Sequence, residues 1–268
     1  MFDLIKHLVK NDIKHTVSDN GNITVTHNLD LECVSGVDAL PDNLTVGGWL
    51  DLSGTSITAL PDNLTVGGRL DLSGTSITAL PDNLTVGGGL DLSGTSITAL
   101  PDNLTVGGWL DLSGTSITAL PDNLTVGGRL DLSGTSITAL PDNLTVGGSL
   151  DLRGTSITAL PDNLTVGGWL DLSGTSITAL PENFSCNSLY LDVERISNIA
   201  WRENCGYSSR TIFAAWTGKE FRIAAGCFFG SVDQFEEAVD DKYDGDVAEA
   251  YKKAGRDCVA ELTEKLNP

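Results

Sequence analysis

Leu40-Pro-Asp-Asn-Leu-Thr-Val-Gly-Gly-Trp-Leu-Asp-Leu-Ser-Gly-Thr-Ser-Ile-Thr-Ala59 is followed without a gap by six further copies of itself, almost unchanged, ending at Ala179. A strict period of 20 residues over seven copies describes a solenoid, in which each unit stacks on the last and touches only its neighbours. Within a copy, Trp49 to Ser53 alternates so that Leu50 and Leu52 face inward and residues 49, 51 and 53 face out, as in a half-buried strand. One such strand per copy predicts a parallel sheet. The remaining apolar positions, Ile57, Leu60, Leu64 and Val66, fall at turns of the coil and point to the same interior. Pro61 removes a backbone donor, and Gly47-Gly48 and Gly54 permit tight bends on either side of the strand. A single copy buries too few aliphatic side chains to offset the ordering of its own backbone, so pairing between copies at about 4.8 Å per step must supply the rest.

The flanks read as caps. In residues 1–39, Phe2, Ile5, Leu8 and Val9 share one helical face, with Asp3 early and Lys6 and Lys10 late, which suits the helix dipole. Ile13 to Val17 and Asn22 to Thr26 flank an Asn-Gly turn and predict a hairpin, and Leu29-Asp30-Leu31 is a first degenerate strand. Residues 180–200 start another unit at Leu180-Pro181, but Leu189-Tyr190-Leu191 comes off period and the shaping glycines are gone. Residues 201–268 change to aromatics, alanine and charge. Thr211 to Trp216 and Phe221 to Ala225 predict a hairpin; Ser231 with Gln234 opens one helix, turning Phe235, Ala238 and Val239 inward; Asp246 with Glu249 opens a second, with Tyr251, Cys258 and Leu262 inward. This region is a cap shielding the last core layer, or a small domain with its own role. The fold class is therefore a mainly β solenoid, a parallel array of 20-residue units with an α+β cap at each end.

The repeat also resembles a known family. Leu60, Pro61, Leu64, Leu70, Leu72 and Ile77 fall on the frame L-P-x-x-L-x-x-x-x-x-L-x-L-x-x-N-x-L-x-x of the short bacterial leucine-rich repeats, over half of the chain. The wording LTVGGxLDLSGTxIT more closely resembles leucine-rich-like proteins of phages and gut bacteria. That resemblance implies a leucine-rich-repeat-like array. Thr55, Thr75 and their equivalents to Thr175 stand at the asparagine of the frame, so the family's asparagine ladder between turns becomes an expected threonine ladder. The ubiquitin-ligase effectors of the family carry a Cys-x-Asp nucleophile in a large catalytic domain. Cys227 and Cys258 lack that motif, and the activity is not carried over.

Composition narrows the function. A net charge of −20 disfavours direct binding to nucleic acid or an anionic membrane and favours a basic partner or plain solubility. Five cysteines without C-x-x-C spacing argue against a zinc site or disulfide framework, and His7, His15 and His27 have no acidic or cysteine cluster in register, so no metal or cofactor is expected. The sequence holds no nucleophile with a histidine partner and no phosphate loop, since Gly87-Gly88-Gly89 lacks the following Lys-Ser/Thr. A charged start and the lack of a long apolar run predict a cytoplasmic protein.

The outward positions carry the functional signal. Asp51, Asp71, Asp91, Asp111, Asp131, Asp151 and Asp171 are expected to form a file of like charges about 4.8 Å apart, relieved by cations or a basic partner, or simply solvated. Position x holds Trp49, Arg69, Gly89, Trp109, Arg129, Ser149 and Trp169, and with Arg153 it carries almost all the variation among the copies. Trp and Arg dominate binding hot spots. Alternatively, each Trp stacks on a neighbouring Arg and only stiffens the surface. Two readings follow: a non-enzymatic protein-binding solenoid that uses this strand face to sequester a cytoplasmic target, and an acidic charge mimic or structural protein occupying a basic groove. An activity in the C-terminal region is a third.

Overall fold

The computed structural model describes residues 2–205 and 210–266. From Ile23 to Tyr190 the chain is a parallel β-solenoid, with two strands per turn where the alternation pattern predicted one, and His15–Val17 adds an antiparallel edge strand to its first rung. The first is Thr-Val, from Thr45–Val46 to Thr165–Val166; the second is Leu-Asp, from Leu50–Asp51 to Leu150–Asp151, and then Trp169–Asp171. Gly47-Gly48 makes the corner between them. A Cβ at Gly107 would lie 2.2 Å from the Gly87 carbonyl oxygen of the preceding turn, so only glycine lets successive corners nest at strand spacing. Leu52 and its equivalents fall outside the paired strand yet are fully buried.

Each strand type builds its own nine-stranded sheet. His15–Val17, Ile23–Val25 and the seven Thr-Val strands form one; Leu29–Asp30, the seven Leu-Asp strands and Ser188–Tyr190 form the other. The parallel register is residue on residue at the repeat period: Leu110 lies beside Leu90 and Leu130, and Asp111 beside Asp91 and Asp131. Leu110 N donates to Arg129 O at 2.8 Å, and Leu112 N to Asp131 O at 2.9 Å. Both sheets and the turns between them enclose one continuous apolar core running from Leu4 to Phe229.

The threonine ladder does not form. Thr55 to Thr175 are buried, but each hydroxyl donates to the leucine carbonyl three residues earlier in its own turn, at 2.6–2.8 Å (Thr55 to Leu52, for example). The short threonine side chain closes the bend at the positive-φ glycine (Gly54, φ 64°) and is spent there.

At the N-terminal end, the helix Leu4–Lys10 is capped by Asp3, which accepts from Lys6 N at 3.0 Å, but it buries Leu4 and Leu8. Ile5 and Val9 are exposed, against the expected face. The hairpin pairs His15 with Val25 and Val17 with Ile23, and its second strand is the first rung of the Thr-Val sheet. At the other end, Ser188–Tyr190 still pairs with Trp169–Asp171 as a ninth rung, one residue early.

Beyond that rung lies a four-stranded antiparallel sheet, Ile199–Cys205, Arg210–Trp216, Phe221–Ala225 and Phe228–Ser231, followed by the helices Val232–Asp240 and Gly245–Leu266. The central pair is the predicted hairpin; the outer strands were not foreseen, and Ile199 lies inside the stretch read as a closing repeat. Ser231 and Gln234 form the reciprocal capping box. Phe235, Val239, Tyr251, Cys258 and Leu262 are buried as expected, whereas Ala238 faces solvent. The sheet has two apolar faces. Phe213, Ala215, Ala224 and Phe229 join the solenoid core, with Phe229 stacked on Phe184 at 5.6 Å, while Ile212 and Ile223 pack with Phe235, Val239 and Tyr251 of the helices. Among the described residues, no helix is long and apolar enough to cross a membrane.

Candidate functional site

The Leu-Asp sheet presents the variable positions in one straight column, because in-register pairing keeps position x of each turn beside its equivalent in the next. The three tryptophans are half-buried and the two arginines exposed. Tryptophan does meet arginine, but two turns away. Arg69 reaches forward to the Gly89 turn, where Nη2 donates to Asp91 at 2.9 Å, and Trp109 leans back over Gly89, where a Cβ would lie 2.3 Å from the indole Cε2. They meet above that small residue, the guanidinium carbon 5.2 Å from the ring centroid. Arg129 and Trp169 repeat the arrangement at 5.1 Å across Ser149, whose hydroxyl accepts from Trp169 N at 3.1 Å.

The column therefore has a period of three turns: tryptophan, arginine, small residue. That period is legible in the order Trp49, Arg69, Gly89, Trp109, Arg129, Ser149, Trp169 and is absent from a reading that treats each turn alone. Its geometric consequence is a pair of equivalent clefts. Because Arg129 leans forward and Trp109 leans back, they part, opening a cleft of about 540 Å³ floored by Gly108, Leu110 and Gly128 and containing Asp111 and Asp131. Trp49 and Arg69 frame its counterpart of about 480 Å³, which contains Asp51 and Asp71.

The aspartates form the expected file but not a row of bare charges. Each turns Oδ1 back to the backbone N–H two residues on, as Asp111 does to Ser113 at 2.9 Å, leaving Oδ2 outward. The arginines bridge those outward oxygens between turns. Arg69 Nη2 lies 2.6 Å from Asp71 and 2.9 Å from Asp91; Arg129 Nη2 lies 2.6 Å from Asp131 and 2.9 Å from Asp151; Arg153 pairs with Asp151 at 2.7 Å and reaches to 3.8 Å from Asp171. Burial alone would raise the Asp151 carboxyl, but hydrogen bonds from Arg153 and Arg129 outweigh it and hold the group below the ordinary carboxylate range. Five of the seven aspartates are thus ion-paired. Among the described residues, Asp51 and Asp111 have no basic partner within 4 Å, and they occupy the two clefts.

In the C-terminal region Trp216 packs on Phe221 at 4.8 Å, Arg222 lies over Phe229 at 5.7 Å, and Phe228 packs on Phe235 at 5.9 Å. Burial pushes the thiols of Cys186 and Cys258 up to about 12 and about 11, and raises that of Cys205, so all three stay protonated at neutral pH. An open cleft of about 620 Å³ between the last rung and the antiparallel sheet is lined by Tyr190, Glu194, Glu203 and Arg210 among others. At the N-terminal end of the file, carboxylate oxygens of Asp30, Glu32 and Asp51 lie within 4.8 Å of one another, extending the acidic surface beside the first cleft. No protein-family model matches this sequence, and no curated protein matches it.

Proposed function

We propose that this chain is a non-enzymatic protein-binding solenoid that holds its partner on the face of the Leu-Asp sheet. One observation carries the reading: in turns otherwise nearly identical, the single freely varied column places half-buried tryptophans beside open clefts, repeated at a three-turn interval. Indole side chains held half in and half out of a rigid surface offer large contact area at little entropic cost, which is what anchors a protein interface. The cation–π pairs favour this reading over pure stiffening, because they fix the outer edge of each cleft while leaving its mouth open. The charge-mimic alternative is the weaker of the two, since three arginines sit within the acidic file. In keeping with its resemblance to short bacterial and phage leucine-rich repeats, the chain is proposed to sequester a cytoplasmic target.

The test uses Trp109, the central anchor. Affinity capture supplies a partner, and Trp109→Ala is expected to weaken its binding at least about 30-fold, the equivalent of about 2 kcal/mol, while the circular dichroism spectrum is unchanged. Retained affinity in that variant refutes the use of this face.

A further inference from the structure

The two clefts share more than shape. Each has an indole on one side, Trp49 or Trp109, and a carboxylate within, Asp51 or Asp111. In each, Oδ1 is tied to Ser53 or Ser113 at 2.9 Å, and among the described residues no side chain donates to Oδ2. The arginine on the far side, Arg69 or Arg129, is engaged by two other aspartates. The surrounding charge is negative in both places: Arg69 stands against Asp51, Asp71 and Asp91, with Asp30 and Glu32 adjoining, and Arg129 and Arg153 stand against Asp111, Asp131, Asp151 and Asp171. An aromatic wall beside an unpaired carboxylate in a negative field is the chemistry that receives an ammonium or guanidinium group.

We propose that the clefts are paired sockets for cationic side chains, and that the partner presents an extended basic segment with two lysines or arginines four residues apart. This rests on the reading of the face as a protein-binding surface and specifies what it binds. The spacing follows from the register. Asp51, Asp71, Asp91 and Asp111 are directly paired in sequence, so the sockets lie three strand spacings apart, about 14 Å. An extended chain advances about 3.4 Å per residue, so four residues span that distance, and an even number returns both side chains to the same face. Three or five residues miss by a step and point the second side chain away. A helix reaches about 10.5 Å at seven residues, about 12 Å at eight and about 16.5 Å at eleven, so none of its same-face positions matches the socket spacing as closely as the extended chain does. The segment runs along the solenoid axis, across strands already paired on both sides, so it gains no backbone ladder and its two cations supply the specificity.

Synthetic peptides of ten residues, otherwise Ser/Thr/Val, with arginines at i and i+4, at i and i+3, at i and i+5, or with a single arginine, are titrated into the full chain by calorimetry and indole fluorescence. The i,i+4 peptide is expected to bind at least tenfold tighter than the others. Asp51→Asn or Asp111→Asn should reduce it to single-arginine affinity, while Asp91→Asn, which removes an arginine-paired carboxylate, should change it less than twofold. Trp109→Phe should retain most of the affinity that Trp109→Ala loses. Equal binding by all spacings, or indifference to Asp111→Asn, overturns the proposal. If the peptides fail while Trp109→Ala still abolishes binding to a captured partner, the sockets fall and the binding face stands. Concentration-dependent self-association abolished by Trp109→Ala overturns the proposal in favour of a second copy of the chain.

Discussion

Gly127 and Gly134 lie in one turn and are glycine for different reasons, which makes alanine substitution a direct test of how the coil is held. At Gly127 a Cβ would stand 2.2 Å from the Gly107 carbonyl oxygen and 3.1 Å from its carbon. Relief to ordinary contact requires the two corners to part by about 1 Å, an overpacking strain of about 1–3 kcal/mol. The same movement stretches Gly128 N to Gly108 O, now 2.7 Å, and Gly127 N to Val106 O, now 3.0 Å, past bonding distance, at about 0.5–1.5 kcal/mol each. Gly127→Ala is therefore expected to cost about 3 kcal/mol. At Gly134 nothing lies within 4 Å, but φ is +68°, so Gly134→Ala is expected to cost only about 1 kcal/mol of left-handed backbone strain. Gly134→Asn is expected to be close to neutral, since Asn43, Asn63 and Asn163 already hold that region at φ 57°, 57° and 65°. Guanidinium unfolding of the full chain, followed by far-ultraviolet circular dichroism, ranks the three. If Gly134→Ala costs as much as Gly127→Ala, or Gly127→Ala costs less than about 1 kcal/mol, the nested-corner account is wrong.

Other consequences are equally open to measurement. Asp151→Ala removes the fully buried carboxylate that Arg129 and Arg153 share and is expected to lower stability by about 2 kcal/mol, whereas Asp111→Ala loses one turn bond and should cost about 1 kcal/mol or less; paired melts at pH 7 check the difference. Because the folded Asp151 carboxyl titrates below its unfolded value, its contribution is fully present above about pH 4 and is lost as the pH falls through the folded value. Acid unfolding of Asp151→Ala should accordingly be less steep than that of the parent. Truncation after Ala179 uncovers Leu170, Leu172 and Ile177 together with an unpaired strand, and light scattering should show association; a monodisperse truncation would show that the C-terminal sheet is not needed as a cover.

What could be read from the sequence was whatever depends on one turn at a time. Leu50, Leu52, Ile57 and Leu64 are fully buried as their spacing requires, and Ser231–Gln234 caps its helix as its motif requires. The Thr-Val strand escaped notice because two residues before a Gly-Gly corner are too few to show alternation; pairing with the next turn, not propensity, makes them a strand. The first helix turned a different face inward because packing against the first rung, which buries Leu4 and Leu8, outweighed the count of apolar residues on the other side. The site was half legible. Trp49, Arg69, Trp109 and Asp111 could be named, but which aspartates stay unpaired depends on the reach of an arginine across one strand spacing and on a tryptophan lying over Gly89. Both are properties of neighbouring turns together.

The three-turn order of the exposed column gives the molecule two clocks, one of 20 residues for the coil and one of 60 for its surface. Tandem copies this alike invite gain or loss of whole units, and every such event preserves the coil, because all internal interfaces are equivalent. The surface is less forgiving. Removing residues 80–99 seats Trp109 against the Arg69 turn with no small residue beneath its ring, and the spacing of the sockets falls from three turns to two. Removing residues 80–139 instead restores the phase, with Trp169 following Arg69 and Ser149, and deletes one socket cleanly. Length variants of this chain with several copies would therefore keep the coil yet keep a phased surface only in steps of three, so copy number sets both the length of a phased array and the number of cationic side chains that it can read.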